Sequence, residues 1–277
     1  MYSVLGTGAI GVDIPFDEAV ELAAHWGFEG ISTDLSYVRK VGPETVVQML
    51  EERNLRPGAW GLPVRLMADE AGFRDALTAL PEAADLCSRA GATRCDVWIP
   101  PGSDDMTNAE MFEFVRDRLR AVCAVLEEYD VRLGLEFIGP LTSRAHRKHE
   151  FIHTLEGIIE LWDALESDSA GLLLDCWHVY TSGADVETVL RLSDEEVVDI
   201  HISDAPAGVH VDEQVDNVRR LPGETGVIDV SRFLACLKEI GYTGPVMAEP
   251  LCRPAGAATD VEAIRATKAA IDSVWPD

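Results

Sequence analysis

The chain contains no run of about 18 apolar residues, the length a membrane-spanning helix requires, so no such helix is expected. Met1 to Gly11 is short and lacks the basic start of a secretory leader, which makes the cytoplasm the expected location. Cys87, Cys95, Cys123, Cys176, Cys236 and Cys252 are scattered without a CxxC pair, the pattern of reduced, mostly buried thiols. Basic residues are scarce: 23 Lys and Arg stand against 49 Asp and Glu, a formal charge of −26. That balance opposes binding of nucleic acid or anionic membranes through the bulk surface, and it reads as a solubility feature with a hint of a salty habitat. A glycine-rich phosphate fingerprint is also missing, since Gly6-Thr7-Gly8 falls short of GxGxxG. Linkers, low-complexity tracts and shifts in composition are absent too, so residues 1–277 read as one domain.

What is present is a repeating rhythm of apolar runs and amphipathic segments. Of the 277 residues, 47% are hydrophobic, enough for a large core. Strands are expected at 2–6, 30–33, 55–60, 94–99 and 131–136, and then in runs ending at Asp175, His201 and Glu249. Helices are expected at 15–26, 43–53, 69–90, 107–129, 154–166, 185–191, 230–240 and 261–274. Eight strand–helix units in a chain near this length predict an α/β fold of the (β/α)8 TIM barrel type. A doubly wound open sheet is the alternative, and the missing fingerprint counts against it.

The segment Gly171 to Tyr180, GLLLDCWHVY, organises the rest. Its continuous leucines suit a strand buried on both faces, and it stops abruptly at Asp175. A carboxylate there needs a cation, a metal or donors, because burying it unpaired costs several kcal/mol. VRLGLE ends in Glu136, VVDIH in His201 and PVMAE in Glu249. Singly, each of these four reads as a solvated loop residue or a helix cap. Together, at the ends of four consecutive strands, they read as a metal site, because a barrel gathers the carboxyl ends of its strands on one face. Three carboxylates and an imidazole form a hard, oxygen-rich set that favours Mn2+, with Mg2+, Co2+, Zn2+ and Fe2+ also accommodated. Cys176 is excluded from the set, because neighbours on a strand point to opposite sides.

The segments GLEF at 134–137, LLLDCWH at 172–178, DIHISDAP at 199–206, RRLPGETGVID at 219–229 and GYTGPVMAEP at 241–250 carry a resemblance along the whole chain. The sequence resembles the xylose isomerase-like TIM barrel superfamily, in its sugar phosphate isomerase/epimerase branch. That branch includes ketose 3-epimerases, hydroxypyruvate isomerases and inosose dehydratases and isomerases. The resemblance implies that Glu136, Asp175, His201 and Glu249 hold one divalent metal ion and that Glu136 and Glu249 double as the acid/base pair. It implies that His178 binds substrate, together with an arginine from the Arg219-Arg220 pair. Two departures stand out: VHVDEQVDNV at 209–218 is inserted relative to the ketose 3-epimerases, and Thr142 replaces a second carboxylate of their site. The substrate is therefore not restricted to a simple ketohexose.

The chemistry expected of such a set is proton transfer beside a carbonyl. A metal chelated by a carbonyl and the adjacent hydroxyl stabilises an enediolate, and a carboxylate on each face removes or returns the proton. The function expected is a metal-dependent epimerase or isomerase of a keto-sugar or cyclitol. A lyase or dehydratase acting on an inosose or 3-keto-glycoside, as in C-glycoside deglycosidases, uses the same groups, and a non-catalytic sugar-binding barrel is the option from another class. Small-molecule sugars or cyclitols are the expected partners, with neither nucleic acid nor membrane, and a homo-oligomer is compatible with the sequence. A DNA-repair endonuclease on this fold would need more histidine ligands and a basic groove. Trp98 and Trp177 are candidates for a sugar-facing wall, whereas Trp26 and Trp60 read equally well as core. His146, His149 and His153 lie in a loop that forms a lid or a solvated basic surface. Glu224 reads as a turn or cap residue, and Asp204 either orients His201 or merely opens a loop. His25 and His210 are expected to carry no chemistry.

Overall fold

The apolar runs become strands that all lie parallel in one sheet. In the computed structural model, which describes residues 1–276, they are β1 Tyr2–Leu5, β2 Gly30–Ile31, β3 Arg56–Pro57, β4 Trp60–Gly61, β5 Arg94–Ile99, β6 Arg132–Phe137, β7 Ala170–Asp175, β8 Val197–Ile202 and β9 Pro245–Ala248. Their order in the sheet is β3-β2-β1-β9-β8-β7-β6-β5-β4. The two edges, β3 and β4, are pieces of one run separated only by Gly58 and Ala59, so the sheet curls round and closes as a TIM barrel.

The expected single strand at 55–60 is thus split in two. Gly58 explains the break: a Cβ there would lie 2.8 Å from Val4 Cγ1 and 3.0 Å from the Ile31 carbonyl oxygen. Only a residue without a side chain lets the backbone pass so close to β1 and β2.

Amphipathic helices cover the barrel. Phe16–Trp26, Pro43–Glu51, Glu70–Arg89, Asn108–Glu127, Leu155–Asp163, Val230–Glu239 and Asp260–Val274 all form near their expected places. Thr107 caps the fourth of these through a reciprocal bond with Glu110. Three local expectations are corrected. Leu35–Val41 is an additional helix, started by Asp34, whose carboxylate accepts from Ser36 N and Tyr37 N. The helix expected at 185–191 is a 3-10 segment, Val186–Arg191. Cys176–Thr181 is helical, because the Asp175 side chain accepts from Trp177 N and turns the chain as soon as β7 ends.

The strands that carry the site are buried on both faces. Leu172, Leu173 and Leu174 of β7, Leu133 and Leu135 of β6 and Val198 and Ile200 of β8 are all buried. No helix among the described residues is long and apolar enough to cross a membrane.

Candidate metal and substrate site

Glu136 of β6, Asp175 at the end of β7, His201 of β8 and Glu249 just after β9 come together at the mouth of the barrel. One ligand-type atom from each can be chosen so that all lie within 4.8 Å of one another. Main-chain pairing sets this arrangement: His201 is in register with Asp175 and, on its other side, with Met247. Neighbouring strand ends are therefore level, and their side chains meet over the same end of the core.

The cluster is short of hydrogen-bond partners in the way a cation site is. His201 Nδ1 lies 3.4 Å from Glu249 Oε2 and 3.8 Å from Glu136 Oε1, yet neither His201 ring nitrogen nor Glu136 Oε1 makes a well-aligned hydrogen bond. Buried polar atoms are rarely left in that state without an ion or water to complete them. The donor set therefore fits a divalent cation.

Arg219 enters the cluster from the long excursion after β8. It is almost wholly buried, and its Nη1 donates to Asp175 Oδ2 at 2.6 Å and to Glu249 Oε2 at 3.1 Å. Its Nη2 reaches Asp216 Oδ1 at 2.6 Å and lies 3.2 Å from His178 Nε2. The guanidinium stacks 4.7 Å over the Trp177 ring. Arg220 points away: its main chain pairs with Asp204, and its guanidinium lies 3.8 Å from Glu224. The pair predicted from sequence is thereby reduced to Arg219.

Electrostatics push the two glutamates apart. Burial, followed by the charge of Glu249, raises the Glu136 carboxyl well above its ordinary range. Burial acts the same way on Glu249, but His201 and Arg219 outweigh it and bring that carboxyl down to about 2. His201 is raised, because Glu249 and Asp199 outweigh the effect of burial. In this set a proton on His201 and the Arg219 charge balance the carboxylates, the task a divalent cation would take over from the proton. His178 is lowered to about 3, chiefly by burial, which leaves its ring neutral. The ring is fixed from behind by Gly139 N, 3.3 Å from Nδ1. Gly139 has to be glycine, since a Cβ would sit 2.2 Å from the His178 carbonyl oxygen.

Two adjoining cavities open onto the cluster, and both are lined by Trp98, Glu136, Glu249 and Leu251. The smaller, of about 350 Å3, adds Ser143, His178, Asp216 and Arg219. The larger, of about 540 Å3, extends over β1, β2 and the β3–β4 break. Trp98 is 59% exposed at the rim of both. Trp177, expected as a second sugar-facing wall, is instead fully buried under Arg219, and its contribution is to hold that guanidinium. Leu251 has φ 54°, a left-handed conformation that is uncommon for leucine and that sets its side chain between the two cavities.

A family model described as xylose isomerase-like TIM barrel matches residues 20–271. The chain belongs to this family. Inosose isomerase from Bacillus subtilis (strain 168) is 29% identical over 190 residues, which cover 67% of this chain and 63% of that protein. The aligned stretch is thus less than two thirds of the relative's length. Among solved structures, a xylose isomerase domain protein from Alicyclobacillus acidocaldarius subsp. acidocaldarius superposes with a TM-score of 0.87 at 27% identity, over 99% of this chain and 97% of that one. The IOLI protein with a bound zinc atom superposes with a TM-score of 0.82 at 22% identity, over 99% and 98% of the two chains.

The xylose isomerase-like barrel also contains site carboxylates that the sequence reading passed over. Asp199 Oδ2 lies 3.7 Å from His201 Nε2, and its other oxygen accepts from Ile200 N at 2.8 Å. Asp96 of β5 stands beside it, its Oδ1 buried without a partner and its carboxyl raised by burial and then by Asp199. Both were findable: Asp199 lies two positions before His201 on one strand and so on the same face, and Asp96 is a carboxylate inside an apolar strand. Asp216 carried no comparable mark, since it sits in the inserted loop. Asp204 does not reach His201. Its oxygens accept from Ala205 N, Thr225 N, Gly226 N and Ile228 N, which closes the excursion into a loop. Glu224 accepts from Leu221 N as a turn residue. The loop of His146 and His149 is tied down rather than free: His149–Glu150 pairs with Gly102–Ser103, and Arg147 bonds Asp104.

Proposed function

We propose that this chain is a divalent-metal-dependent isomerase or epimerase of a keto-sugar or cyclitol, with a ketone of the inosose kind as the first substrate to test. The single observation that carries the reading is the pair Glu136 and Glu249. They meet with Asp175 and His201 in one largely buried cluster, on the wall of both cavities. Glu136, Asp175, His201 and Glu249 would hold the metal, and the oxygen-rich set favours Mn2+. When bound, that ion would polarise a substrate carbonyl and the neighbouring hydroxyl. One glutamate would take the proton from the carbon beside the carbonyl and the other would return a proton. Return to the same carbon from the opposite face inverts it; return to the former carbonyl carbon, with the neighbouring hydroxyl's proton passing to the former carbonyl oxygen, moves the carbonyl. Arg219 and the neutral His178 line the smaller cavity, where they would bind and orient substrate oxygens. The inosose isomerase relative supports a cyclitol ketone, and the IOLI structure with its zinc atom supports metal use on this fold.

The test is solvent deuterium incorporation by the Mn2+-loaded protein across inososes, ketoses and 3-keto-glycosides, followed by NMR. Deuterium beside the carbonyl with a rearranged or inverted product supports the reading. Loss of a β substituent would redirect it to a lyase, and no exchange into any compound would favour a non-catalytic sugar-binding barrel.

A further inference from the structure

Asp199 is a carboxylate buried beneath the cluster. It is 3% exposed and lines neither cavity, so it has no access to a ligand held there. Among the described residues its one ion-pair partner is His201, and no lysine or arginine reaches it. A carboxylate so deeply placed is costly unless something answers its charge.

The strand is irregular where it presents this side chain. Val197 pairs with Leu172 and Asp199 with Leu173, so β8 takes two steps where β7 takes one. Such a bulge re-aims the side chain beside it, and the Arg94 guanidinium holds this one by donating to the Val198 carbonyl. From there regular alternation sets Asp199 and His201 on the same face of β8.

The imidazole of His201 thus has oxygens at both nitrogens. Nδ1 lies 3.4 Å from Glu249 Oε2 and 3.8 Å from Glu136 Oε1, and Nε2 lies 3.7 Å from Asp199 Oδ2. A neutral imidazole carries hydrogen on one nitrogen and a free lone pair on the other, and the partner of the first decides which is which. A metal among the glutamates needs the lone pair of Nδ1. That requires the hydrogen on Nε2, and an acceptor facing it.

We infer that Asp199 is a positioning residue: it accepts the Nε2 hydrogen of His201 and so turns the Nδ1 lone pair to the metal. The inference rests on the metal-dependent reading of the cluster. A movement of about 0.8 Å closes the present gap to an ordinary N–H···O length. Asp199 Oδ1 already accepts from Ile200 N at 2.8 Å, which leaves Oδ2 for the ring. Two donors meet two oxygens, and a carboxylate supplies both. Asparagine has one oxygen, so either the Ile200 amide or the ring N–H would face an NH2 group. Asp96, Asp199 and His201 also lie close enough to form a cation site of their own, in which Nε2 would carry a metal and no hydrogen.

The experiment titrates Mn2+ into the full chain, wild type and Asp199→Asn, with free Mn2+ read by electron paramagnetic resonance. The wild type should take one ion per chain. Asp199→Asn should bind it about 10–100-fold more weakly, the range for losing a group that orients a metal-bound histidine. Lost charge alone would also weaken binding, so the Zn2+-loaded proteins, labelled with 15N-histidine, are compared by NMR. The His201 signal is the one missing from His201→Gln. In the wild type its hydrogen should be on Nε2. In Asp199→Asn saturated with Zn2+, that resonance should move upfield and exchange faster with water. Asp199→Ala, which offers no acceptor, replaces Asp199→Asn if the latter does not fold, and the wild-type spectrum decides without either. Hydrogen on Nδ1, two ions per chain, or variant affinity within about twofold of wild type overturns the inference and leaves the isomerase reading standing. Weaker binding with no change at Nε2 does the same. A wild-type protein that binds no divalent cation overturns both.

Discussion

Glu136 and Glu249 share one cluster, and their Gln variants separate a proton-transfer pair from two ligands. Glu→Gln at either position keeps a neutral oxygen of similar size and removes the base. Both variants are expected to fold and to lose turnover by about 10²–10⁴-fold, the range of a general acid or base. Each should still exchange solvent deuterium into one substrate epimer only, because the remaining carboxylate reaches one face. Near wild-type inversion in both, followed by NMR from each epimer separately, would reduce the glutamates to ligands. His178 makes a different prediction. Its ring is held by Gly139 and faces Arg219, so His178→Ala should leave metal content unchanged while KM rises or kcat falls. Loss of metal, measured by elemental analysis, would move the histidine into the ligand set.

At the scale of elements, the excursion from Ser203 to Ile228 is the part that delivers Arg219. Asp204 organises it with four main-chain donors on two oxygens, all of them buried or half-buried. Donors to a charged acceptor are worth about 1.5–3 kcal/mol each and do not simply add, so Asp204→Ala should lower stability by about 3 kcal/mol or more, read by urea unfolding. Thr142 ties the same excursion to the preceding loop, donating from Oγ1 to the Gln214 carbonyl at 2.6 Å. This element also marks where sequence reasoning stopped. Asp175, His201, Glu136 and Glu249 were legible because a polar residue ending an apolar strand has few reasons to exist. Arg219 could not be told from Arg220, because which neighbour turns inward is set by the Asp204–Arg220 bridge, a contact between residues far apart in the chain. Trp177 looked like a wall for sugars because it follows the site aspartate, and the helix that begins at Cys176 turns it beneath the site instead. The split of the third strand was hidden for a similar reason, since the clash that demands Gly58 comes from Val4 and Ile31.

For the whole molecule, net charge governs the balance outside the site. Even if every basic side chain found an acidic partner, 26 acidic groups would remain, and their mutual repulsion favours the expanded chain. Surface pairs such as Arg39–Glu82 and Arg74–Glu70 offset little of this, because exposed ion pairs are worth at most about 1 kcal/mol each. Raising KCl from about 0.05 M to about 1 M shortens the Debye length severalfold and should raise the thermal midpoint. A midpoint that falls with salt, read by differential scanning fluorimetry, would show that specific pairs outweigh the net charge.

The broken strand between β3 and β4 gives the barrel a seam. On one side Gly30 and Ile31 pair with Arg56 and Pro57, and on the other Trp60 and Gly61 pair with Cys95 and Asp96, two-residue ladders where β5 and β6 share six. The four candidate ligands stand on or just beyond the longer ladders, and the larger cavity extends from them over the short ones. Such a wall breathes where its main-chain bonds are fewest. The amides of Gly58 and Leu62, bonded to the Ile31 and Asp96 carbonyls at the ends of these short ladders, should exchange with solvent before those of Leu133 or Ile200. The rim of the larger cavity would then be the softer part of the barrel and the strands that carry the candidate ligands its stiffer part.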